Sequence, residues 1–309
     1  MIPPILRSIS LIACCVMLLL AATSRVVGQS ADKADEIVNT ILEDGAKGSD
    51  SDKAKQPDPA EIKKGDVPVD AKPVSERKDT PAKKAEAESA ESKPAVSRDE
   101  EVLYKTGVDF YHSGMYDNAL AKFQELLAKY PQGTFKESAH FWLGKVAMKR
   151  YRYDDALKEF SAVTEASGDY PAALFLIAQS NQLKGRPVAA IEYYQKVAAR
   201  FPSHELADDA LLAMGKLYAT EGKGVQAIDA AMRIMKHYKD RETVPDAMYL
   251  IGKIYERDPQ VKDPETARRI YRRFLKKADT DDLFRASPLK RRVQEDLRHI
   301  EDTYFKMER

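Results

Sequence analysis

Small residues recur through most of this chain at a spacing that few folds can use. Gly107, Gly144, Ala178, Gly215 and Gly252 follow one another at intervals of 37, 34, 37 and 37 residues. Twelve residues after each of the first four stands another small residue: Ala119, Ala156, Ala190 and Ala227. Four further on come Phe123, Phe160, Tyr194 and Ala231, and Pro131 and Pro202 close the first and third units. Two helices approach closely where both carry small residues, and a large ring from the second fills the space beside them. A unit of this size cannot bury its apolar face alone, so neighbouring units must stack to share one core.

Local chemistry agrees with paired helices. Thr134-Phe135-Lys136-Glu137 has the form of a capping box, a hydroxyl and a carboxylate satisfying the free N–H groups of a helix start. Asp263-Pro264 and Ser287-Pro288 each put a capping side chain ahead of a proline at the first helical position. The fifth unit departs from the pattern. Pro264 stands where its alanine belongs, Ala267 takes that place three residues late, and Asp258 to Asp263 read as an inserted loop. The last apolar positions, Leu289, Val293, Leu297, Ile300 and Tyr304, are spaced 4, 4, 3 and 4 and predict an amphipathic helix covering the open end of the array.

A period near 34 residues with this order of small and large positions resembles the tetratricopeptide repeat. Gly107, Phe110, Gly114, Tyr116, Ala119, Phe123 and Pro131 match its signature, as do Ala139, Trp142, Leu143, Gly144, Tyr153, Ala156 and Phe160. The resemblance covers residues 101–279. It implies an all-α fold, a right-handed α-α superhelix of about five helix pairs, with a C-terminal capping helix over 280–309. The three-residue extension of most units, with Phe141-Trp142-Leu143-Gly144-Lys145 and Ala210-Leu211-Leu212-Ala213-Met214-Gly215, resembles a subset of the family. That subset comprises periplasmic repeat proteins of the Tol-Pal system and the repeat lipoprotein of the outer-membrane barrel-assembly machine.

All 15 Tyr, all 10 Phe and the one Trp lie at or after Tyr104. What precedes them reads as an address and a tether. Arg7 is followed by the apolar run Ile9 to Ala22 and then by Thr23, Ser24 and Arg25, the order of a secretory signal over residues 1–28. Cleavage before Gln29 or before Arg25 fits, an uncleaved anchor is the alternative, and Leu11-Ile12-Ala13-Cys14 resembles a lipobox that would yield a lipid-anchored form. Ser30 to Glu100 holds 18 acidic and 13 basic residues, six prolines and no aromatic. Residues 29–100 are therefore expected to be a disordered linker. Within it Ile37, Val38, Ile41 and Leu42 would share one helical stripe. Both cysteines, Cys14 and Cys15, fall inside the apolar run, which suits an exported, periplasmic chain without a mature thiol.

The residues give little sign of catalysis. A net charge of +1 disfavours nucleic acid as a partner. His112, His140, His204, His237 and His299 are scattered, and His204-Glu205 lacks the second histidine of a zinc-protease helix. Gly222-Lys223-Gly224 falls at a turn inside the fourth unit, and Asp279, Asp281 and Asp282 read as a solvated turn. No catalytic residue, metal ligand or cofactor is expected.

The resemblance instead implies a concave groove lined by the first helix of each pair. Its fifth positions are Tyr104, Phe141, Phe175, Leu212 and Tyr249, its ninth Val108, Lys145, Gln179, Lys216 and Lys253, and its twelfth Tyr111, Met148 and Gln182. Aromatic residues edged with lysines suit an extended or helical peptide with apolar anchors and acidic groups. A second expected surface is a basic stripe of Arg268, Arg269, Arg272, Arg273, Lys276 and Lys277, suited to anionic lipid or an acidic partner. The expected function is an exported adaptor or scaffold in the bacterial cell envelope that binds a peptide or partner protein. The alternative is a membrane-tethered structural subunit of an envelope complex.

Overall fold

The computed structural model describes residues 97–306, among which there are twelve helices and no strand. The proposed signal, the lipobox at Cys14, the stripe of Ile37 to Leu42 and all but the end of the linker lie outside the described residues. The described residues divide after Lys184 into two compact units. The first holds α1 (Arg98–His112), α2 (Tyr116–Lys129), α3 (Lys136–Lys149), α4 (Tyr153–Phe160) and α5 (Tyr170–Leu183). The second holds α6 (Pro187–Arg200), α7 (Ala207–Thr220), α8 (Gly224–His237), α9 (Thr243–Arg257), α10 (Pro264–Thr280), α11 (Asp282–Ala286) and α12 (Lys290–Tyr304). Within each unit every helix packs on its neighbours in sequence, except that α12 passes over α11 to pack on α10.

The small positions lie where helices of a pair touch. A Cβ built on Gly107 would stand 2.7 Å from Phe123 Cε1, and one on Gly144 would meet the Phe160 ring. In the last pair Tyr271, four residues after Ala267, lies against Gly252 in the same way. The three-residue delay seen around Pro264 is thus absorbed by the loop between α9 and α10, and the ring-on-glycine contact survives. Ala119, Ala156, Ala190, Ala227 and Ala267 are fully buried. Burying a ring such as Phe123 contributes roughly 1.5–3 kcal/mol, so this contact weighs heavily in the packing of the first, second and last pairs.

Four of the short connections between successive helices pass through a left-handed residue. Gly114, Gly185 and Gly222 supply it at φ of 76°, 68° and 67°, which costs glycine nothing. The fourth, between α3 and α4, is Tyr151, at φ 58°.

Two of the three local capping expectations change. The capping box at Thr134 does not form: α3 begins at Lys136 without a side-chain cap. The buried Glu100 of α1 accepts from the Phe135 N–H at 2.9 Å, and its carboxylate packs where a side chain at Gly133 would sit. Glu137 turns to the next loop and accepts from the Thr164 N–H and Oγ1 at 2.9 and 2.8 Å. A partner distant in sequence outcompetes the local bond in each case, Glu100 from α1 and Thr164 from the loop after α4. Asp263 does cap α10, accepting from the Glu265 N–H at 3.0 Å. Ser287, by contrast, only stabilises the turn before α12, which starts at Lys290.

The C-terminal cap is two helices rather than one. Asp281, expected in a solvated turn, caps the short α11, which seats Phe284 edge-on against Phe274 with ring centroids 5.0 Å apart. Val293 and Ile300 of α12 are fully buried.

Candidate partner-binding site

The first unit brings two stripes of side chains together. On α1, Tyr104, Val108 and Tyr111 recur at helical spacing and all three are half-buried. On α3, Trp142, Lys145 and Met148 do the same. Trp142 Nε1 donates to the Tyr104 hydroxyl at 3.0 Å, so the indole is held by its polar edge. The Tyr104 ring stacks on Phe135 at 4.4 Å, and Tyr111 meets Trp142 edge-on at 5.0 Å. Such pairs fix the rings beyond what area burial alone would do.

Lys145 lies across this shelf. Its Nζ stands 3.8 Å from the Trp142 ring centroid, 5.1 Å from Tyr111 and 5.4 Å from Phe141. The ring faces attract the cation, and burial pushes its pKa below the ordinary lysine value. Burial likewise raises that of the Tyr111 hydroxyl. Among the described residues no carboxylate lies within ion-pair distance of Lys145. Asp169, whose charge acts on it, accepts instead from Ser138 Oγ at 2.7 Å.

The other lysines that follow a small-position glycine behave differently. Lys216 lies 3.6 Å from Asp246. Lys253 bridges Glu256 at 2.8 Å and Asp296 at 3.4 Å. Lys145 is the member of this set whose charge is met by rings rather than by a carboxylate.

Several expected groove residues are not open. Phe141 and Leu212 are each 7% exposed, and the Phe141 ring is tilted against Phe160 at 5.9 Å, so both serve the core. Tyr249 stacks on Tyr271, and its hydroxyl donates to Asp296 of α12 at 2.8 Å. Tyr249 and Lys253 are therefore occupied by the C-terminal cap. On α5, Phe175 and Gln179 are half-buried and Gln182 is exposed. In the sequence Trp142 stands out only as part of the repeat signature. One step around the helix from Phe141, it is the ring on which Lys145 rests.

The basic stripe also divides. Arg268 pairs with Glu265 at 2.7 Å and lies 3.8 Å over the Phe305 ring, and Lys277 lies over Phe284. Arg269, Arg272 and Lys276 are exposed on α10, and Arg273 is half-buried beside them. No group of three or more metal-binding side chains occurs among the described residues.

Comparison with known proteins agrees with the packing. Residues 142–205, and separately 101–133 and 246–280, match models of the tetratricopeptide repeat. The chain carries tetratricopeptide repeats. A tetratricopeptide repeat protein from Parabacteroides merdae ATCC 43184 is similar in fold, at 16% identity and a TM-score of 0.52 over 67% of this chain and 75% of that one. MamA is 20% identical over 59% of this chain and 95% of its own, with a TM-score of 0.49. The C-terminal part of a repeat protein from Cytophaga hutchinsonii is 15% identical over 70% and 88%, also at 0.49. No curated protein matches the chain. Tetratricopeptide repeats build scaffolds for protein–protein interaction, and here the first two repeats frame the aromatic shelf, α1 supplying Tyr104 and Tyr111 and α3 supplying Trp142 and Lys145.

Proposed function

We propose that this protein is an exported tetratricopeptide adaptor of the bacterial cell envelope, capturing a polypeptide segment on the shelf of Tyr104, Tyr111, Trp142 and Lys145. The observation that carries the reading is the Lys145 ammonium, half-buried on three rings with no carboxylate beside it. A ligand carboxylate would complete its charge, and the flanking rings would supply the desolvated anchor that dominates interface energetics. The segment it suits carries an acidic group next to an apolar side chain.

A photo-crosslinking amino acid at Met148, in the full chain expressed in cells, tests the reading. A polypeptide adduct is expected, and it should vanish when Lys145→Met is added. An adduct that forms equally in that variant overturns the role of the shelf. Mass spectrometry of the mature N-terminus tests export. Gln29 or Arg25 is expected there, and a diacylated Cys14 would make the protein a tethered subunit instead.

A further inference from the structure

Between Thr266 and Ala278, α10 carries six cations and no carboxylate. Four of them, Arg269, Arg272, Arg273 and Lys276, stand at i, i+3, i+4 and i+7 and so share one face. That face lies away from Ile270, Tyr271 and Phe274, which are buried. Arg272 pairs with Glu301 yet remains 56% exposed. Arg269 donates only to Thr266 Oγ1, at 2.9 Å. Arg273 and Lys276 have no ion pair among the described residues; Arg273 is half-buried, and its covered Nε finds no acceptor. Three positive charges on one rigid helix face are thus left uncompensated.

The class of partner follows from what this face lacks. A protein interface is organised around a buried aromatic or aliphatic centre, with charge at its rim. α10 contributes no exposed large apolar side chain. A bilayer of anionic lipid needs no such centre: it attracts cations diffusely, and each Lys or Arg adds to the binding. Guanidinium groups also match phosphate oxygens through paired N–H donors. We propose that the face of Arg269, Arg272, Arg273 and Lys276 docks the protein on the anionic headgroups of a bilayer.

The test places an environment-sensitive fluorophore on the same face. Thr280 is exposed and one turn beyond Lys276, so Thr280→Cys is labelled in the full chain with Cys14→Ser and Cys15→Ser. Vesicles of phosphatidylglycerol and phosphatidylcholine should shift its emission to the blue, whereas pure phosphatidylcholine should not, and high salt should reverse the shift. A label on α10 does not respond to attachment through the N-terminal apolar run. Replacing Arg269, Arg273 and Lys276 together by Gln should weaken the response about 100-fold while leaving the helical circular dichroism unchanged. No shift with anionic vesicles, an equal shift with neutral ones, or an undiminished response in the triple variant would overturn the proposal. So would a stronger response to polyglutamate, which would assign the face to an acidic polypeptide.

Discussion

The Phe160 ring fills the space a side chain at Gly144 would need, with a built Cβ only 2.5 Å from Phe160 Cε1. Gly215 faces a softer neighbour, its nearest contact being the Leu250 Cδ2 methyl at 3.1 Å, because Ala231 replaces the ring of that pair. Alanine at the two positions should therefore act in opposite directions. Gly144→Ala is expected to cost about 1–3 kcal/mol through overpacking. Gly215→Ala is expected to be neutral or to gain up to about 1 kcal/mol, since alanine favours the helix and the leucine methyl can rotate aside. Urea unfolding of the two variants beside wild type measures the difference. A Gly144→Ala protein as stable as wild type would mean that Phe160 is free to move, and a matching loss in Gly215→Ala that Leu250 is not.

Tyr151 holds the left-handed turn that glycine holds at 114, 185 and 222, and it is 80% exposed. An L-residue there is strained by about 1–2 kcal/mol, and so exposed a side chain returns little of it through packing. Glycine removes the strain but loses more chain entropy on folding. The strain is the larger effect, so Tyr151→Gly should stabilise the protein by about 0.5–1 kcal/mol. A higher melting temperature in a thermal scan is the expected result.

How far these features were legible in the sequence depends on how local their causes are. The pairing of Gly107 with Phe123 follows from spacing alone, and even the displaced Ala267 and Tyr271 could be placed by counting. Glu137 could not: its expected cap is local, whereas its actual partner Thr164 is 27 residues away. The shelf shows the same limit. Periodicity put Phe141 and Trp142 on α3 but could not say which of the two a neighbouring helix would cover. The terminal apolar stripe predicted a covering helix, but not that its Asp296 would take up Tyr249 and Lys253.

The latch joining α9, α10 and α12 should set the pH range of stability. Burial pushes the Glu256 pKa up, but bonds from Lys253 and the Tyr271 hydroxyl outweigh it, leaving it below the ordinary value. A carboxyl depressed in the folded state stabilises above the ordinary 4.5, and that contribution is lost as pH falls through the lowered value. On the alkaline side, burial and the bond to Asp296 push Tyr249 up to about 12, and burial with Glu256 raises Tyr271 as well. Groups raised in this way stabilise fully below the ordinary tyrosine value of 10.0 and fail as pH rises through the folded value. Urea unfolding across pH should therefore show a plateau with a fall at each end. Glu256→Gln should be less stable on the plateau and have a shallower acid limb. An acid limb identical to wild type would remove Glu256 from the latch.

Lys145 and Lys253 occupy equivalent places after Gly144 and Gly252, yet their replacement should separate a binding residue from a structural one. Lys253 holds two carboxylates, Glu256 and Asp296, and its side chain is 15% exposed. Methionine there leaves Asp296 without its cation and Glu256 with Arg257 alone, a loss expected to approach about 3 kcal/mol. Lys145 holds none. Methionine at 145 gives up a cation–ring attraction of about 0.5–1 kcal/mol but also removes the cost of burying an ammonium, so stability should stay within about 1 kcal/mol of wild type. Thermal melts of the two variants compare them directly. A Lys145→Met protein as unstable as Lys253→Met would mean that the shelf holds the repeats together rather than waiting for a partner.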